Sequence, residues 1–357
     1  MNIKYISCLT SNCGIGRYTE ELAKSQFESE HEVTLFRKNE GNPDYVKTYP
    51  FRSFKGLKHY VAPYFLSNAI NNQEADIWHA DYVDSATALK WSKHKNKNQK
   101  VVVTCHDAIP LRYPNGWVND QWYRYMLNNT VEIADQIIVV SENSKQDLIN
   151  LYNVPEEQIK VVYNGINHSF FYPDQEKVKN DIFTIRYVGG LLVSHKNAIA
   201  LIETAKVLQD RGIEVKIEIG SGAAELTPLP ALVEKYKLKN ISFEGFVPNN
   251  QLRSFLAGAD VFLYPSLYEG FGFPPIEAMA CGTAVVSSGG GSLREVLRDG
   301  AYVTEAEPEM FAEAIIHLIE DSNLKKSLEQ KGIKVAQEYT WEKACAQTTK
   351  IYNDLLN

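Results

Sequence analysis

No stretch of this 357-residue chain approaches the roughly 18 uninterrupted apolar residues that a membrane-crossing helix needs. The N-terminal "MNIKYISCLT" has neither a long apolar core nor a small-residue cleavage site, so it reads as a strand rather than a secretion signal. Low-complexity tracts and long Pro- or Gly-rich linkers are missing as well, which leaves a compact globular protein. Basic charge is in short supply. Lys and Arg number 18 against 19 Asp and Glu up to residue 170 and 19 against 25 beyond it, so a nucleic-acid binder with a strongly basic face is disfavoured and no nucleic-acid partner is expected. The cysteines are few and odd in number (Cys8, Cys13, Cys105, Cys281, Cys345) and have no CxxC or zinc spacing. Free thiols in a reducing compartment follow, and with them a cytoplasmic protein. There is no DxD, HExxH or Cys/His cluster to hold a metal, and no GxxxxGK[ST] or GxSxG, which argues against P-loop enzymes, kinases, zinc hydrolases and serine hydrolases. Neither a metal nor a cofactor is expected.

Short apolar runs alternate with helix-period segments along the whole chain. They are "IKYISCL", "EVTLF", "VVVTCH", "QIIVVS" and "IKVVYNG", then "IFTIRYVGG", "EVKIEIG", "ISFEGF", "DVFLYPS" and "TAVVSS". Runs this apolar suit strands buried on both faces, hence parallel sheets covered by helices. The fold class is α/β, in two stacked units. Asn164-Gly165, Pro173 and a charged stretch separate the halves near residue 170. The expected domains are 1–170 and 171–335, followed by a terminal helix in 336–357 that packs back on the first.

In open α/β sheets ligands bind beyond the carboxyl ends of the strands. The loop after "DVFLYPS" reads "YEGFGFPPIEAM", in which Glu269 lies at the strand end and Glu277 in the expected first turn of a helix opened by Pro275. Either carboxylate alone is equally an ordinary loop or helix-start residue. Together they flank a Gly-Phe-Gly loop whose backbone can approach a ligand: amides suit phosphate oxygens and carboxylates suit sugar hydroxyls. Lys196, in "VSHKNAIAL", is expected at the start of an amphipathic helix, where a cation opposes the dipole unless an anion sits nearby, with Asn197 as a cap. "CGIGRYTEEL" supplies Gly14 and Gly16, half of a dinucleotide fingerprint, but its third glycine position is Thr19 and the second strand ends in Arg37 and Lys38, so NAD is not expected. His106 ends the strand "VVVTCH", where it serves either as a packed histidine or as a hydrogen-bonding group at a site.

The Glu-x7-Glu spacing in "EGFGFPPIE", followed by "AMACGTAVVSS", resembles the retaining glycosyltransferases of the GT-B fold, family 4. The similarity extends in order over "GIGRYTEEL", "HDAIP", "VVYNGIN", "KNAIALIETAKVL" and "FEGFVPNNQL". It implies two Rossmann-like domains with parallel sheets facing a central cleft, a nucleotide sugar held mainly by the second domain, a glycan, glycolipid or glycoprotein acceptor held by the first, and no metal. By resemblance, Glu277 binds the ribose, Glu269 the donor sugar, and the backbone at Phe271, Gly272 and Phe273, with Lys196, the diphosphate. His106 contacts the sugar near the reacting carbon, Gly16 lies close to the phosphates and the base stacks near Val247. The chain departs from the family at Gly190 and His195, where many relatives have an arginine before the lysine. Either His195 or Arg17 then takes over that charge.

Two other readings remain: an epimerase-hydrolase of the same fold, distinguished by its products from donor alone, and a catalytically silent partner subunit, for which Glu269, Glu277 or Lys196 would be missing. The stretch 51–66, with Arg52, Lys55 and Lys58 among Phe51, Phe54 and Leu57, is either an ordinary helix with a basic edge or a peripheral contact with an anionic membrane, which suits a lipid-linked acceptor.

Overall fold

The structure, a computed structural model, describes residues 1–10, 13–38, 44–51, 57–93, 98–114, 116–174 and 180–357, with the side chains of 58 and 59 excepted. The chain divides into two compact units, Met1–Gly165 with Trp341–Asn357, and Ile166–Thr340.

Seven strands form the first sheet: β1 (Asn2–Ile6), β2 (Glu32–Lys38), β3 (Val46–Tyr49), β4 (Ile77–Ala80), β5 (Lys100–Cys105), β6 (Gln136–Val139) and β7 (Ile159–Val161). Every pairing is parallel and the order is β3-β2-β1-β4-β5-β6-β7. Parallel strands are joined by helices that cover both faces, and all four residues of both β4 and β6 are accordingly buried. The terminal helix Trp341–Leu356 returns to this unit. It buries Trp341, Ala344, Cys345, Thr348 and Tyr352, a stripe at helical spacing, and Gln26 Nε2 on helix Gly14–Glu28 donates to Thr349 Oγ1 at 2.8 Å.

The second unit repeats the plan with β8 (Thr184–Val188), β9 (Lys216–Gly220), β10 (Ile241–Phe243), β11 (Val261–Tyr264), β12 (Ala284–Ser288) and β13 (Tyr302–Thr304), in the parallel order β10-β9-β8-β11-β12-β13. Its two ends are tied together, since the Ile166 amide donates to the Tyr339 carbonyl at 3.0 Å. In both sheets the strand order reverses direction between the first and fourth strands, β1/β4 and β8/β11. The loops at the carboxyl ends of those strands are where such folds hold ligands.

Three strands were not legible as apolar runs. β3 carries two exposed residues, β13 is three half-buried residues, and β4 is only Ile-Trp-His-Ala between aspartates. Yet β4 is central and lies at the switch point. Arg52, Phe54 and Lys55 fall outside the described residues. Next to them, the helix Lys58–Ala69 carries exposed Tyr64. Among the described residues no helix is long and apolar enough to cross a membrane.

Candidate functional site

In the second unit the loops after β8 and β11 meet at the switch point. The Glu269 carboxylate is 6% exposed and takes four hydrogen bonds. Lys196 Nζ donates to Oε1 at 2.7 Å and Oε2 at 2.9 Å, Tyr264 OH donates to Oε1 at 2.8 Å, and Ser266 Oγ lies 2.6 Å from the same oxygen. Lys196 also reaches the Tyr264 hydroxyl at 3.3 Å. Oε1 is thus saturated, while Oε2 holds one bond and keeps acceptor capacity. Burial, followed by the negative charges of Glu269 and Glu277, raises the Tyr264 phenol well above its ordinary value.

Backbone contacts fasten the two loops. The Leu267 amide donates to the His195 carbonyl at 2.7 Å, and Asn197 Nδ2 donates to the Pro265 carbonyl at 3.3 Å. On the other side, Ser292 N and Oγ donate to the Glu269 carbonyl at 3.0 and 3.1 Å. Gly290 approaches so closely that a Cβ there would lie 2.1 Å from the Leu267 carbonyl oxygen.

Three local expectations change. Lys196 is not at a helix start: it closes the short turn Ser194–Lys196, and helix Ile199–Asp210 begins after Asn197, which adopts φ 52° instead of capping the helix. The nearby anion is Glu269, because the turn swings the ammonium onto the β11 loop. Glu277 lies beyond the first turn of helix Phe273–Ala280, which contains no acidic residue. The helix dipole fades within a turn, so it does not account for a carboxylate buried to 3% at that position.

Gly272 ends the loop at φ 91°, a conformation that favours glycine, and leads into the helix through Phe273. The Phe271 ring packs edge-on against Tyr339 and Phe273, which leaves its backbone as the part that can serve a ligand. The Gly190 carbonyl accepts from Tyr187 OH at 3.2 Å. His195 is buried, and burial together with the Lys196 charge holds its imidazole below the ordinary histidine range, so at pH 7 it adds no second cation. Val247 is turned inward against Gly220, and the neighbouring ring of Phe246 is 72% exposed. Tyr264 and Ser266, which hold Glu269, were passed over by motif reading, and the signal for both is a polar ending to an otherwise apolar strand.

In the first unit the loops after β1, β4 and β5 carry the other candidates. Cys13 caps helix Gly14–Glu28, its Sγ accepting from the Gly16 amide at 3.4 Å, with half-buried Arg17 one residue on. Burial pushes the His106 pKa down to about 3, against an opposing pull from the Asp81 backbone carbonyl, so the ring is neutral. Its Nε2 is buried and has no partner. A neutral imidazole carries one donor and one acceptor nitrogen, and the nearby Asp81 carbonyl favours the tautomer that leaves Nε2 as the acceptor. Asp81 itself accepts from Thr19 Oγ1 at 2.9 Å and Ser85 Oγ at 2.7 Å. Burial first, and Asp84 second, push its carboxyl up to about 7.

Two outcomes are expected. Gly290→Ala should cost about 1–3 kcal/mol in urea unfolding, since its Cβ meets backbone that cannot move alone; an unchanged midpoint would show that the loop relaxes freely. Folded Asp81 holds its proton more tightly than the unfolded chain, whose ordinary value is 3.8, so its stabilising contribution is full at low pH and lost as pH rises toward about 7. Asp81→Asn, which cannot ionise, should flatten that fall and exceed wild type in stability at pH 8. An unaltered slope between pH 4 and 7 would assign the dependence to other groups.

The chain's relatives agree with this architecture. The model for Glycosyltransferase Family 4 matches residues 13–170 and that for Glycosyl transferases group 1 matches residues 171–335. The O-antigen chain mannosyltransferase RfbU of Salmonella typhimurium is 32% identical over 220 residues, 61% of this chain and 60% of that protein, so the alignment spans less than two thirds of the relative. Among solved structures, the sucrose-phosphate synthase of Thermosynechococcus elongatus superposes with a TM-score of 0.81 at 21% identity over 99% of this chain and 98% of its own. Anabaena HepE in complex with UDP and glucose superposes at 0.79 with 17% identity over 99% and 100%. The two matched regions adjoin and together cover every strand but β1, and the chain belongs to the family 4 glycosyltransferases of the GT-B fold.

Proposed function

We propose that this chain transfers a sugar from a nucleotide-diphosphate sugar to a glycan or lipid-linked acceptor, with retention of configuration and without a divalent metal. The observation that carries this reading is the buried Glu269 carboxylate, held by Lys196, Tyr264 and Ser266 with capacity left on Oε2. A sugar hydroxyl is the donor such an oxygen accepts. Glu277 takes the ribose hydroxyls.

Negative charge builds on the diphosphate as the bond to the sugar breaks. Donors already fixed in place stabilise that charge more in the transition state than before it. Pro274 and Pro275 in the first turn of helix Phe273–Ala280 have no N–H, so the backbone share of that role falls on the Phe271–Phe273 segment preceding them. Lys196 supplies the cation while holding both oxygens of Glu269 in place. In the first unit, neutral His106 offers Nε2 as an acceptor for a sugar hydroxyl. The five free thiols support a cytoplasmic setting. Exposed Leu57 and Tyr64 support a peripheral membrane contact through 51–66, which co-sedimentation with phosphatidylglycerol vesicles tests.

A thermal-shift panel of UDP, GDP, ADP and their hexose conjugates should reveal one nucleotide that raises Tm, because a ligand of the folded state stabilises by mass action. UDP comes first, given the UDP complex of HepE. Glu277→Gln should then weaken that nucleotide about tenfold or more, the loss of a charged hydrogen bond. Lys196→Ala should lower turnover on the order of a hundredfold. Equal affinity and turnover in the two variants would remove both residues from the site. Transfer should survive excess chelator, and proton NMR of the product should show the donor's anomeric configuration. Chelator sensitivity would reveal a required metal, an inverted product would sink the retaining mechanism, and free sugar or an isomer from donor alone would favour the epimerase-hydrolase.

A further inference from the structure

A line of buried polar side chains crosses the first unit from its C-terminal helix to the candidate sugar-contacting histidine. The Tyr5 and Tyr352 hydroxyls are 2.9 Å apart, and Tyr352 OH is 2.5 Å from His79 Nδ1. His79 Nε2 is 2.7 Å from Thr104 Oγ1, which is 2.9 Å from Tyr18 OH. The Tyr18 ring then meets the His106 imidazole edge-on, with centroids 4.7 Å apart and planes at 87°. Tyr5, Tyr18, His79, Thr104 and Tyr352 are all at most 1% exposed.

Hydrocarbon of the same size would fill this space without the desolvation that five polar groups incur. What the polar chain adds is a single geometry. Burial pushes the His79 pKa down to about 3, so its ring is neutral, with one nitrogen donating and the other accepting. Both face hydroxyls, so each hydroxyl rotor between Tyr5 and Tyr18 is set by its neighbours, and polarisation along such a chain strengthens each bond. The C-terminal helix grips this line at two places: Tyr352 bonds His79, and the Trp341 ring lies 6.0 Å from that of Tyr18.

We propose that Tyr352 and His79 are positioning residues for His106: through Thr104 they fix the Tyr18 ring against the imidazole, so the C-terminal helix determines where His106 Nε2 points. This rests on the reading of His106 as a sugar-contacting residue, and the test keeps the two apart.

Tyr352→Phe and, as a milder second variant, Thr104→Val each remove one hydroxyl at nearly constant volume. Nucleotide release from the donor that most stabilises the wild-type chain is measured per folded molecule, well below Tm. Each variant should lose about tenfold in turnover with KM for donor within about twofold, because displacing a fixed group degrades alignment rather than nucleotide binding. In a His106→Ala background the same substitutions should change turnover less than about twofold, since a residue acting through His106 has nothing left to act on. Nitrogen-15 spectra of the histidine rings, recorded without any ligand, should show the His106 resonances shifting in both variants. Equal losses in the two backgrounds, or His106 resonances that stay in place, would overturn the positioning role and leave the chain a core fastener. Full activity in His106→Ala alone would remove His106 from the reaction, and the ring spectra would still decide whether Tyr352 positions it.

Discussion

The Glu269 carboxylate is the constraint around which the second unit is organised. A buried carboxylate is tolerated only when its charge is opposed and its oxygens are bonded. Here Lys196 comes from the loop after β8, and Tyr264 and Ser266 from the end of β11. Satisfying one side chain therefore ties two strand ends together at the point where the sheet order reverses. The backbone follows the same logic, with the loop after β12 holding the Glu269 carbonyl through Ser292 and pressing Gly290 onto Leu267. A loop fastened on three sides keeps its shape without a ligand, and this is the preorganisation that electrostatic stabilisation needs.

Pairing changes what Lys196 can do. A lone lysine would be a point charge awaiting an anion, whereas a lysine bonded to both oxygens of Glu269 forms a pair that is neutral overall and directional at close range. Any ligand that meets Lys196 therefore meets Glu269 as well. The first unit solves a related problem differently. One of its buried polar groupings is a line of neutral hydroxyls and an imidazole, in which each group has a partner, and the line ends against His106, whose Nε2 has none.

Much of this was legible in residue patterns. Ten apolar runs marked ten of the thirteen strands, and the strand-to-helix loops carrying Glu269, Lys196 and His106 stood out because polar groups end apolar strands there, with Glu277 marked by its spacing from Glu269. The strands that escaped notice were short, edge-placed or, like β4, interrupted by a polar residue. β4 shows why: His79 reads as a break in an apolar run, yet it is fully buried because Tyr352 and Thr104 satisfy both its nitrogens.

By itself, then, the sequence determined the parallel α/β plan, the position of the loops and the spacing of the two glutamates, since periodicity and turn residues report the burial and ends of single elements. Only the tertiary structure decided that Lys196 pairs with Glu269, that His195 is a buried neutral ring, that Glu277 lies past the reach of the helix dipole, and that Tyr352 reaches His79 from 273 residues away. Each of these depends on which side chains from separate elements meet in a water-poor space. That is set by packing across the sheet, and no local pattern encodes it.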